Sequence, residues 1–171
     1  HLIRAAFVWL LLLPPMLLFS GLVTSGHDMY HFPGKELGRK MTAMWRGAYQ
    51  VPLRIVGGGH GAPNSIAFNS TDHPSVLQHL SHAWSPWINK EDIVRDGIAV
   101  ICLASDTRCV ENARTLFPGY SLNPLTVKAE PGLFFPGSER DFLYFFVPPG
   151  SPEVDLESVK PLPMRADQQA E

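Results

Sequence analysis

The residues best suited to chemistry in this 171-residue chain form one short loop, Gly57-Gly58-Gly59-His60-Gly61. The loop leaves an apolar segment, LRIV, and enters one of helical character. Backbone amides at such a junction can gather round an anion at the positive end of a helix. The expected chemistry is therefore ligand binding, with Gly57, Gly58, Gly59 and His60 cradling a phosphate or sugar phosphate. The loop has no lysine-serine or lysine-threonine pair, so it is not a Walker loop. Nor does it keep a G-x-G-x-x-G register with an acidic residue about twenty positions on. The structural alternative is that the glycines let the chain turn sharply from strand to helix. The cradle reading expects that alanine at Gly58 and Gly59 abolishes sugar-phosphate binding and leaves the fold intact.

Other reactive side chains are sparser in pattern. His27 and His31 stand at i and i+4 with Asp28 between them, but no third metal ligand has a legible spacing. His60, His73, His79 and His82 scatter over loops and a strand, so no metal site is expected. There is no G-x-S-x-G elbow, and no Ser or Cys sits in an activating context. Glu91/Asp92 and Glu139/Asp141 read as surface caps and turns, so no catalytic residue is assigned. Cys102 and Cys109 lie seven apart, one closing an apolar run and the other opening a helix. They suit a disulfide in an oxidising compartment or two thiols in a reducing one. Asn69-Ser70-Thr71 is a formal glycosylation sequon, informative only for a eukaryotic source.

What must position these residues begins with a membrane question. Ala5 to Val23 runs nineteen residues without a charge, with Arg4 before it and TSGHD after it. A run this long and apolar reads as a transmembrane helix, since hydrocarbon demands that every backbone amide be satisfied within the segment. Arg4 places its amino end in the cytoplasm and the rest of the chain outside. A secretory signal is the competing reading; its apolar core would exceed the usual ~7–15 residues, and no small-x-small site follows. Pro14 and Pro15 would kink the span and suit companion helices. The first residue is His, not Met, so the sequence reads as a piece of a longer protein. The expected organisation is a transmembrane helix over 1–25, an exported α/β domain over 26–149 and a polar, proline-dotted disordered tail over 150–171. Fourteen basic residues against sixteen acidic ones, with no basic tract, argue against nucleic acid as a partner.

Within the domain, Leu37, Met41, Met44, Trp45 and Ala48 recur at helical spacing behind Pro33. Lys35, Arg39, Lys40 and Arg46 make the opposite face, solvated in one reading and against lipid phosphates in the other. LRIVGGG reads as a strand, GAPNSIAFNS as a helix and SVLQHL as a second strand. Asn89, with Asp92 three residues on, caps the next helix. IAVICLA suits a central strand covered on both faces, and DTRCVENARTLF a helix capped by Ser105 or Asp106. SLNPLTVKAE and DFLYFFVPP then add an antiparallel pair. The alternation predicts a three-layer α/β domain with a mainly parallel sheet and right-handed crossovers.

The strand-to-strand stretches carry a family likeness. Val56-Gly57, Asn64 to Phe68, Pro74-Ser75-Val76, Ser85-Pro86-Trp87 and the ending Val147-Pro148-Pro149 resemble the C-terminal exported domain of bacterial protein-mannosyltransferase-like membrane glycosyltransferases. The Asn64–Phe68 spacing is one residue wider than that family's Asn-x-x-Phe pattern. The likeness spans roughly residues 45–149, and its motifs are structural in character. It implies a terminal, non-catalytic part of an inner-membrane enzyme that moves sugar from a polyprenyl-phosphate carrier to an exported acceptor. Catalytic acidic residues and a divalent metal would then belong to an upstream region of the same protein. The glycine loop, Asn64, Ser85 and Trp87 would face a cleft that helps select the acceptor. The alternative is a single-span, membrane-anchored binding module with its ligand at Gly57–Gly61.

Overall fold

A computed structural model describes residues 32–130 and 137–151. The apolar run, His27, His31, and the tail from residue 152 lie outside the described residues. Among the described residues no helix is long and apolar enough to cross a membrane.

The element order alternates as the sequence patterning predicts. Helix α1 spans Gly34–Tyr49, β1 Ile55–Gly58, α2 Ala62–Asn69, β2 Ser75–Gln78 and α3 Lys90–Asp96. Strand β3 spans Ile98–Leu103, α4 Thr107–Leu116, β4 Asn123–Lys128 and β5 Glu139–Val147. All belong to one compact unit that begins at Pro33. The five strands form a single sheet in the order β2-β1-β3-β5-β4. Strand β1 pairs parallel with both β2 and β3, while β5 pairs antiparallel with both β3 and β4. The sheet is therefore mixed, with β2, β1 and β3 parallel to one another and the expected antiparallel C-terminal pair at the other end. Strand β5 inserts beside the central strand and the hairpin partner β4 takes the edge, where Pro124 is tolerated because an edge strand can spare a donor.

Side-chain alternation along the strands builds two interfaces. Ile98, Val100 and Cys102 of β3 join Phe145 and Val147 of β5 in a core with Ile93 of α3 and Cys109, Val110, Ala113 and Leu116 of α4. Phe146 points the other way and meets Trp45 of α1 edge-on at 5.4 Å. Strand β3 is buried along five of its six residues, as a run apolar on both faces requires.

Helix α1 buries Gly34, Leu37, Gly38, Met41, Thr42 and Trp45. The expected stripe was rotated slightly: Met44 is half-buried and Ala48 exposed. The cause is close approach of α2, for a Cβ on Gly38 would lie 2.8 Å from Asn69 Cβ. Thr42 Oγ1 seals that crossing by donating to Ser70 Oγ at 2.7 Å. Three of the four basic residues on that face of α1 pair within the protein. Lys35 pairs with Glu130, Arg39 with Glu36, and Arg46 with Asp72, whose side chain is 2% exposed.

Two capping expectations hold. Asn89 and Asp92 form a reciprocal capping box on α3, and Asp106 caps α4 through its side chain, accepting from Cys109 N–H at 3.1 Å. Strand β2 is shorter than SVLQHL because His79 and Leu80 both turn left-handed, at φ 54° and 56°. Glu139 and Asp141 lie within β5 and not in a turn, with Asp141 accepting from Thr126 Oγ1 at 2.7 Å.

Candidate functional site

In an open α/β sheet, neighbouring strands whose connections depart to opposite sides leave a crevice at their carboxyl ends. Here those strands are β1, which leads to β2, and β3, which leads toward β5 and β4. The loop after β1 carries Gly59 and His60, and the loop after β3 carries Ser105 and Asp106. They enclose a cleft of about 360 Å³, completed by His79, Thr107, Arg108, Cys109 and Asn112. That volume lies at the small end of the range for small-molecule sites, about 300–1,000 Å³.

The glycines divide by role. Gly57 and Gly58 lie in the ladder between β2 and β3 and are buried. A Cβ on Gly57 would meet Leu80 Cδ2 at 2.7 Å and Ile98 Cδ1 at 2.9 Å. Gly58 has φ +152°, and its Cβ would overlap the Ile101 carbonyl oxygen. Alanine at Gly58 thus attacks the sheet itself, which overturns the expectation that this replacement spares the fold. Gly59 borders the cleft, with Asp106 Oδ2 2.5 Å from the point its Cβ would occupy. The loop consequently presents a carboxylate where the anion cradle would need positive character.

Two imidazoles form the opposite wall. The rings of His60 and His79 stack at 6.1 Å with 17° between their planes. Gln78 Nε2 donates to His60 Nδ1 at 2.8 Å, which leaves the neutral ring's proton on Nε2. Burial pushes the His79 imidazole below its ordinary pKa, neighbouring His60 adds to that fall, and the Asp106 carboxylate opposes it. Trp84 meets His79 edge-on at 5.4 Å and remains 41% exposed.

The chain is strained to place His79. Left-handed backbone at a residue other than glycine costs on the order of 1 kcal/mol or more, and here two such residues are consecutive. Ser85 holds the turn. Its fully buried Oγ donates to Val76 O and accepts from Gln78 N–H, each at 2.9 Å. Ser85 therefore acts beneath the cleft and does not line it. Asn64 is exposed on α2 and Trp87 is 64% exposed, and neither is among the lining residues.

The far wall is braced covalently. Cys102 at the end of β3 and Cys109 in the first turn of α4 form a disulfide with Cα atoms 5.6 Å apart. Among the described residues no group of three or more His, Cys, Asp or Glu is arranged to hold a metal ion. His73 and His82 are occupied elsewhere, at the carbonyls of Ala67 and Ile88.

His79, Ser105, Asp106, Thr107, Arg108 and Asn112 were not singled out by sequence as site residues. The available signal was topological: once β1 and β3 are neighbours, their two following loops must share a crevice. Comparison of the chain with protein-family models, with curated proteins and with solved structures found no match.

Proposed function

We propose that the described domain is the extracytoplasmic, non-catalytic module of an integral-membrane glycosyltransferase drawing sugar from a polyprenyl-phosphate carrier. One observation carries the reading: the family-like segments Pro74-Ser75-Val76 and Ser85-Pro86-Trp87 are wired together beneath the cleft. Ser85 Oγ bonds both Val76 O and Gln78 N–H, and Gln78 in turn holds His60. The resemblance is thereby given a physical role, since its motifs brace the turn that carries His79 to the cleft. The Cys102–Cys109 disulfide supports placement on the periplasmic side of the inner membrane, because such bonds persist in oxidising compartments. In this reading the chemistry, with any divalent metal, belongs to the upstream membrane region, and the cleft takes part in choosing the acceptor.

A second reading fits the same cleft: a single-span exported binding module whose ligand touches Gly59 and His60. Sequencing the native gene upstream of the His1 codon separates the two. The enzyme reading expects roughly ten further apolar spans, each of about 20 residues, and an Asp/Glu-bearing first exported loop. An initiator methionine within a few codons overturns it.

A further inference from the structure

We propose that the cleft binds a neutral, hydroxyl-rich ring, a saccharide, in preference to a phosphate or an apolar lipid tail. The proposal deepens the reading above and rests on it only for where the sugar comes from.

The seat a phosphate would take is already filled. Asp106 caps α4, with Oδ1 accepting from Cys109 N–H at 3.1 Å, while Oδ2 crowds the space over Gly59. An anion brought there would meet a carboxylate, and at close range like charges repel strongly in a partly desolvated cleft. Among the described residues lining the cleft only Arg108 opposes that charge, so they carry no positive excess. His79 is held toward its neutral form and adds none at neutral pH.

The lining is also wrong for a hydrocarbon chain. Among the described residues around the cleft, all but Gly59 and Cys109 carry a polar side chain. Burying an isoprenoid there would desolvate those groups without giving them partners.

A polyol solves both problems. Each sugar hydroxyl can donate one hydrogen bond and accept others, whereas a carboxylate only accepts and a guanidinium only donates. Asp106 and Arg108, two residues apart at the head of α4, can therefore serve neighbouring hydroxyls in opposite senses. Asn112 stands one helical turn beyond Arg108 and supplies both an acceptor and donors. On the other side the His79 ring, backed by half-exposed Trp84, offers an aromatic border for the less polar face of a sugar.

The test uses the whole 171-residue chain in detergent micelles. It is titrated with glucose, galactose, mannose and N-acetylglucosamine, then with mannose 1-phosphate and inorganic phosphate. Binding is read from tryptophan fluorescence and the His79 imidazole resonances. At least one neutral sugar should saturate with Kd on the order of millimolar, as expected for a small ligand in an open site. Asp106→Asn keeps a capping side chain yet should weaken that sugar at least tenfold. Asn112→Ala, which leaves the cap untouched, should weaken it several-fold. The proposal is overturned if no neutral sugar moves the His79 resonances, if a phosphate binds more tightly than the sugar, or if both variants bind like the parent. Saccharide binding by a chain whose gene starts just before His1 would retire the glycosyltransferase reading and keep the site. Many upstream spans without saccharide binding would do the reverse.

Discussion

Asp106 Oδ2 lies 2.5 Å from the position a Cβ on Gly59 would occupy, so the carboxylate and the glycine backbone share one small space across the cleft. A methyl group at Gly59 must push the carboxylate aside. Gly59→Ala should cost about 1–2 kcal/mol of stability and weaken whatever the cleft binds about tenfold. Urea unfolding and a ligand titration on the same sample check both parts.

The neighbouring glycine should respond far more severely. Gly58→Ala sets a Cβ against the Ile101 carbonyl at φ +152°, and is expected to cost about 3 kcal/mol or more. Gly47→Ala is the matched control, since it sits in α1 with nothing within 4 Å of an added Cβ. It should stabilise by about 0.5–1 kcal/mol through improved helix propensity. Equal effects at the two sites would contradict the packing described for β1 and β3.

Asp72 gives a pH prediction with a definite sign. Burial pushes its carboxyl up, but hydrogen bonds from Arg46 and from Leu53 N–H outweigh that, and its pKa falls below the ordinary value. A carboxyl lowered on folding stabilises the native state above its unfolded pKa, about 3.9. That contribution should fade as pH drops below about 4 toward the folded value. Asp72→Asn should lose about 1.5–3 kcal/mol at pH 7 and show a shallower loss of stability between about pH 5 and 3.

His79 should titrate below 6.5, the ordinary histidine value, in an NMR pH series. Its folded pKa is depressed, so the native state loses stability relative to the unfolded chain as pH falls below about 6.5. His60→Asn should raise the His79 value, and Asp106→Asn should lower it further. Opposite movements would mean that the two rings and the carboxylate do not share the cleft as described.

Removing the disulfide by Cys102→Ala with Cys109→Ala should cost about 2–3 kcal/mol, the chain-entropy expectation for so short a loop. With Cys102 fully buried and Cys109 5% exposed, reductant should act slowly on the native protein and quickly in denaturant. Rapid native-state reduction would show that the α4 wall opens on its own.

Much of the scaffold was legible from local rules. Pro33, Asn89 and Asp106 mark helix starts by chemistry that involves only neighbours a few residues away, and IAVICLA announces a strand buried on both sides. The site was harder because its members are distant in sequence. His60 and Gln78 meet only because β1 and β2 run parallel in register, with Gly58 opposite Gln78. The sequence pattern points Ser85 and Gly57 toward ligand binding, yet one is a buried hydrogen-bonding post and the other a packing contact. Residue type alone does not separate a serine that touches a ligand from one that props up the loop beside it. Nor does local sequence report the left-handed pair His79-Leu80, which the tertiary contacts impose against the backbone's own preference.

The sheet's two borders carry a consequence for how copies of the chain meet. Strand β2 offers four residues before His79 and Leu80 swing the backbone out of line, and β4 carries Pro124, which has no N–H to donate. Short or proline-bearing margins are poor templates for a further strand. Neither margin of the described sheet offers a ready seam for ribbon growth, so the strain that aims an imidazole also disfavours edge-to-edge pairing there.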